Sequence, residues 1–244
     1  MQIIPAIDFI DGKCVRLVQG DFAQMTVYNE DPLKQAQIFK DAGVSRIHLV
    51  DLDGARGNAE GSRKNREMIC KIKKEIGLEI ETGGGIRSED DMKELISNGI
   101  DYLILGTILI EEYPMIEKLF STYGKHFIAG IDVRNNVVKT RGWKEGEGVN
   151  PIELGSRLYQ LGFKTAVYTD ISVDGKLTGP NIEATKKFSN STKLRAILSG
   201  GVSCLEDIIN AKAAAAEEFE GVIVGKAYYE GRIDLKKAVA ELSK

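Results

Sequence analysis

The sequence has 244 residues, 43% hydrophobic and 28% charged, which are the proportions of a chain that buries a sizeable core. Its formal net charge of −3 argues against nucleic acid or an anionic membrane as the main partner, so any anion must be held locally. Cys14, Cys70 and Cys204 are scattered and have no CxxC spacing, which points to free thiols in a reducing cytoplasm and away from zinc.

MQIIPAIDFIDGK meets Asp8 too early for a signal peptide, and no run nears the roughly 18 apolar residues of a membrane helix. Within it, Ile3–Ile7 is the first predicted strand. DPLKQAQIFKDAG predicts a helix, with Pro32 in its first turn and Gly43 at its stop. Arg46–Val50 is the next strand, followed by VDLDGA. Leu78–Glu81 leads to Gly83, Gly84 and Gly85, then to SEDD, a capping-box-like helix start. Tyr102–Leu105 ends at Gly106 and Thr107. Phe127–Ile131 ends at Asp132 and precedes the polar loop TRGW. Thr165–Tyr168 is followed by Thr169 and Asp174. Arg195–Leu198 leads to Ser199, Gly200 and Gly201 and a second capping pattern, SCLE. Gly221–Val224 ends at Gly225, Lys226 and Ala227. These runs do not alternate apolar with polar, so both faces of each strand are expected to be buried, as in a parallel sheet.

Eight strands, each followed by a helix, are the pattern of a (β/α)8 TIM barrel. An open doubly wound sheet also alternates such units, but no linker divides this chain and its halves repeat. ETGGGIRSEDDM returns as ILSGGVSCLEDI, AIDFIDGKCVRL as GIDVRNNVVKT, and DYLILGT as EGVIVGK. The reading is one barrel domain over 1–244, built from half-barrels at about 1–123 and 124–244. Closing two halves on each other removes the sheet edges.

A barrel gathers the C-terminal ends of its strands on one face, where loops build the site. Glycine there lets the backbone approach a ligand, and a following helix start offers N–H groups to an anion. A single glycine cluster is more often a simple turn. Two clusters related by a half-turn suit a ligand with a phosphate at each end. Asp8 and Asp132 fall on opposite strands between those clusters. One strand-end Asp is usually a cap, but a symmetric pair between anion sites is better explained as acid and base. Trp143, the only tryptophan, lies in a polar loop and reads as a ligand-stacking lid residue. Arg16, Arg87 and Arg141 each read equally as a surface residue or as a phosphate or carboxamide contact. His48 and His126 read as core or strand-start histidines.

IPAIDFIDGKCVRLVQGDF, VDLDGA, GGGIRS, GIDVRNN, TRGW, YTDISVDG and SGGVS together resemble the ProFAR isomerase family of histidine biosynthesis over essentially the whole chain. The resemblance implies an Amadori rearrangement of a bis-phosphorylated aminoaldose, with no metal and no cofactor. The chain is expected to be cytoplasmic and a monomer. It implies Asp8 as proton acceptor, Asp132 as proton donor and Thr169 in support, with Asp174 a rival for the acid. Gly83–Gly85 with Gly106 and Thr107 would hold one phosphate, and Ser199–Gly201 with Gly225 and Lys226 the other. Gly20, Arg87, Arg141, Trp143 and Asp174 complete the expected substrate contacts. Three rivals remain open: the related cyclase on the same barrel, an isomerase that also takes phosphoribosylanthranilate, and a non-catalytic sugar-phosphate binder. RLVQGDF and RGW favour the isomerase.

Overall fold

Among the described residues, eleven strands follow one another: β1 (Gln2–Ile10), β2 (Lys13–Val18), β3 (Asp21–Asn29), β4 (Arg46–Asp51), β5 (Glu79–Gly83), β6 (Tyr102–Leu105), β7 (Phe127–Arg134), β8 (Val137–Val138), β9 (Thr165–Asp170), β10 (Arg195–Ser199) and β11 (Phe219–Val224). They belong to a computed structural model that describes residues 1–18, 21–29, 31–143, 148–215 and 217–243, with side chains described outside 16–29. β1, β4, β5, β6, β7, β9, β10 and β11 pair in parallel in that order, and β11 returns to β1 with Gln2 opposite Gly221. The sheet is a closed (β/α)8 barrel. All eight predicted strands lie in it. Among the described residues, no helix is long and apolar enough to cross a membrane.

Helices cover the barrel because each presents one apolar face. Along Ala59–Ile76, for example, Ile69, Ile72 and Ile76 recur at helical spacing and are buried. Each such side chain contributes about 1.5–3 kcal/mol when fully removed from water. The helix starts follow local chemistry. Asp31 accepts from the Lys34 N–H at 3.1 Å ahead of Pro32, and Ser88 and Asp91 close a reciprocal capping box. SCLE differs from its expected form, since Asp207 rather than Glu206 accepts from Ser203 N–H at 2.8 Å and from its hydroxyl at 2.7 Å.

The barrel interior is layered. At the N-terminal ends of the strands, the Arg46 guanidinium bonds Glu79 at 3.1 Å and Glu220 at 2.7 Å and lies 4.4 Å from the Tyr102 ring centre. Above it, Ile4, Ala6, Ile128, Val167, Ile197 and Ile223 form an apolar plug, with Ile104 packed against it. The inward residues one step further along the strands face the cavity that holds the site.

Two features extend beyond the predicted pattern. β1 continues past Asp8 and pairs antiparallel with β2, placing Asp8 opposite Val15, and β2 pairs with β3. β8 adds a short antiparallel strand to β7. The turn between β1 and β2 is anchored from below. Asp53, fully buried, accepts from the Asp11 N–H at 2.7 Å, and the Asn65 amide oxygen accepts from the Gly12 N–H at 2.7 Å.

Candidate active site

A cavity of about 840 Å3 opens at the C-terminal ends of the barrel strands, within the range of small-molecule sites. Asp8, Gly83, Gly84, Gly85, Arg87, Gly106, Thr107, Asp132, Arg141, Trp143, Thr169, Asp174, Ser199, Gly200, Gly201, Gly225 and Lys226 all line it. Gly20 lies outside the described residues, as does the Arg16 side chain. His48, Arg56, Glu111, Glu112 and Lys139 also line the cavity.

The two glycine clusters share one backbone geometry. Gly84 and Gly200 have φ of +100° and +92°, and Gly85 and Gly201 have +71° and +82°, values that favour glycine. The neighbours correspond as well. A Cβ on Gly84 would overlap the carbonyl oxygen of Asp51, which ends β4; one on Gly200 would lie 2.7 Å from that of Asp170, which ends β9. Short helices, Ile108–Glu111 and Lys226–Tyr229, begin just after Gly106 and Gly225. The cavity therefore has two similar cradles on opposite sides.

Asp8 and Asp132 face each other across the barrel, because β1 and β7 are four strands apart in either direction. Asp132 has Thr169 as its neighbour in register on β9. The Trp143 indole N–H donates to Asp132 Oδ2 at 2.8 Å, and the Thr169 hydroxyl also bonds the carboxylate. Burial pushes the Asp132 carboxyl above the usual carboxylate range; hydrogen bonds from Trp143 and Thr169, and the nearby His48, offset only part of that. Asp132 is enclosed by protein while keeping some accessible surface toward the cavity. A carboxyl whose pKa burial raises in this way is suited to give a proton.

Trp143 stands at the edge of the cavity in a tense loop. Arg141, Gly142 and Trp143 have consecutive φ values of +51°, +64° and +71°, a conformation unfavourable for side chains with a Cβ. The loop is tied down at three points: the Arg141 N–H donates to Thr107 Oγ1 at 3.0 Å, its guanidinium bonds Glu111 at 2.7 Å, and the indole bonds Asp132. Across the mouth, the Lys226 ammonium donates to the Gly175 carbonyl at 3.1 Å, joining the second cradle to the loop of Asp174. Arg87 donates to the carbonyls of Gly54 and Ala55.

Residues 2–234 match the family described as "Histidine biosynthesis protein". The chain belongs to this family. A protein of Thermodesulfovibrio yellowstonii is 46% identical over 98% of this chain and 96% of its own length. A Synechococcus protein is 43% identical over 100% and 94%, and one of Bacillus subtilis is 39% identical over 99% and 98%. All three are called 1-(5-phosphoribosyl)-5-((5-phosphoribosylamino)methylideneamino) imidazole-4-carboxamide isomerase, or ProFAR isomerase. This chain is accordingly an isomerase of histidine biosynthesis.

His48 corrects the sequence reading. It is a wall of the cavity rather than a core residue, while His126 ends the short turn just before β7, with Nδ1 2.8 Å from the Asp101 carbonyl. The signal that would have found His48 is the period of two along β4. Arg46 and His48 share the inward face, and polar residues on that face mark the site or the barrel floor.

Proposed function

We propose that the chain converts ProFAR to its ribulosyl isomer by an Amadori rearrangement, with Asp132 as acid and Asp8 as base. The observation that carries this reading is the raised, enclosed Asp132 carboxyl directly across the barrel from a second aspartate, between two matched glycine cradles. Each cradle takes one phosphate of the substrate, which spans the cavity and brings its phosphoribosylamino ring between the aspartates.

Protonated Asp132 gives its proton to the ring oxygen. The bond from that oxygen to C1′ breaks, and the nitrogen lone pair forms a C1′=N iminium. Asp8 removes the C2′ proton, and that electron pair makes C1′=C2′ while the iminium electrons return to nitrogen. The enolamine then ketonises, losing its hydroxyl proton and gaining one at C1′. C1′ is reduced and C2′ oxidised within one molecule. Thr169 orients Asp132 throughout.

The test offers ProFAR and phosphoribosylanthranilate separately. Turnover of ProFAR alone is expected. Turnover of both would replace single-substrate isomerase by the dual-substrate reading, and turnover of neither would support a binding protein.

Trp143 supplies a second test, since it is the chain's only tryptophan. Stacking its indole on the imidazole carboxamide requires it to leave Asp132, which also removes a hydrogen bond that favours the ionised carboxylate. A bis-phosphorylated product analogue should therefore change Trp emission saturably, and inorganic phosphate much less. Trp143→Ala should lower kcat/KM with the barrel still folded. Emission that ignores the analogue would contradict the lid role.

A further inference from the structure

Deep in the barrel interior lies a fully buried acidic group that the reaction above does not use. Glu81 on β5 is 0% exposed and does not line the cavity. It sits beside His48 in register, and its Oε1 lies 2.8 Å from His48 Nδ1. Its Oε2 has no hydrogen-bond partner, although Arg46 stands 3.6 Å away. Arg46 directs its closer contacts to Glu79 and Glu220, so it does not need Glu81 to complete its pairing. A buried carboxylate with one unsatisfied oxygen is costly. The contact it does make with full geometry is with an imidazole whose other edge borders the cavity.

We propose that Glu81 is a positioning residue for the isomerase: it holds the His48 ring through Nδ1–H, so that Nε2 presents a lone pair to the substrate. The inference rests on the proposed sugar-phosphate reading of the site. An ionised carboxylate can only accept, which makes Nδ1 the donor and leaves Nε2 of the neutral ring as an acceptor. Asp132 lines the same cavity as His48. The substrate group that such an acceptor fits is a hydroxyl of the pentose next to the reacting carbons. The two aspartates and Thr169 are already committed there, and a fixed acceptor would hold that hydroxyl while the carbon proton moves. Asn or Gln at position 48 would not reproduce a ring held edge-on, and an imidazole released from Glu81 would exchange between its two neutral forms.

The chain's two histidines make the test clean. In 15N-histidine NMR of the wild-type protein, His48 should show a protonated Nδ1, with His126 as internal reference. Glu81→Leu should move only the His48 signals, lower kcat about tenfold or more and leave KM within about threefold, since one buried hydrogen bond to a charged group is lost. Glu81→Gln, which keeps an acceptor, should recover most of that loss. Glu79→Gln loosens the same ionic cluster without touching His48, and should leave kcat and the His48 signals unchanged. A wild-type His48 with bare Nδ1, a Glu81→Leu enzyme with normal kcat, or an equal loss in Glu79→Gln would each overturn the proposal. Should Glu81→Leu fail to fold, the wild-type spectrum and Glu81→Gln still decide. Absence of ProFAR turnover by the wild type would instead sink the substrate reading, and the spectrum would still score the Glu81–His48 pair.

Discussion

Asp132→Asn should lower kcat by at least about two orders of magnitude, the scale of general acid–base catalysis, and should at the same time stabilise the fold at neutral pH. The first effect follows from removing the proton that opens the ring. Asn keeps the shape of Asp and can still accept from the Trp143 indole, so the cavity should be retained. The second effect follows from linkage. Burial raises the folded-state carboxyl above its unfolded value. Between those two values the folded chain binds more protons than the unfolded one, so wild-type stability falls as pH rises through that window and stays reduced above it. Asn does not titrate and escapes the penalty. Each kcal/mol regained should add roughly 2–4 °C to Tm for a chain of this size. Thermal melts of both proteins from acid to neutral pH check the sign: the variant should gain on the wild type as pH rises. Parallel curves would mean that Asp132 titrates normally and is poorly suited to be the acid. Asp8→Asn should cost a comparable factor in kcat, and Asp174→Asn run beside it separates the two candidate acids.

Gly84→Ala should damage binding and stability together. The added Cβ would overlap the Asp51 carbonyl oxygen, and φ at this position is +100°. Asp51 cannot yield easily. Its side chain accepts from Asn65 Nδ2 at 2.6 Å, from the Gly54 N–H at 2.8 Å and from the Ser62 hydroxyl. The backbone of the cradle must therefore shift, at a cost of about 1–3 kcal/mol, and KM should rise at least about tenfold through the lost phosphate contacts. Gly142→Ala is the contrast. It too has positive φ, at +64°, but nothing lies within 4 Å of its added Cβ, so only the backbone cost of about 1–2 kcal/mol remains. If both variants behave alike, the crowding at Asp51 is not what fixes the cradle.

The barrel was legible because its eight core strands are buried on both faces and so appear as short unbroken apolar runs between helices. The hairpin of β2 and β3 was not, because KCVRLV and DFAQMTVYN stand outside that pattern and pair only with β1 and each other. Glycines of the cradles could be placed from sequence since the two clusters repeat and each follows a strand. The roles of Lys226 and Arg141 could not, because their partners, Gly175 and Glu111, come from segments distant in the chain. His48 looked like core for a related reason. Apolar neighbours Ile47 and Leu49 face outward to the helices, while His48 faces in, and only the register with Ala6 and Glu81 reveals which layer it occupies.

The most direct measurement follows the ribosyl carbons themselves. ProFAR labelled with 13C at C1′ and C2′ is incubated with the wild-type protein and with Asp8→Asn, and the products are observed by NMR. The account predicts that the wild type turns C1′ into a methylene bound to nitrogen and C2′ into a ketone carbon, while Asp8→Asn leaves the aldosyl signals in place over the same period. Unchanged aldosyl carbons with folded wild-type protein, or rapid conversion by Asp8→Asn, would contradict it.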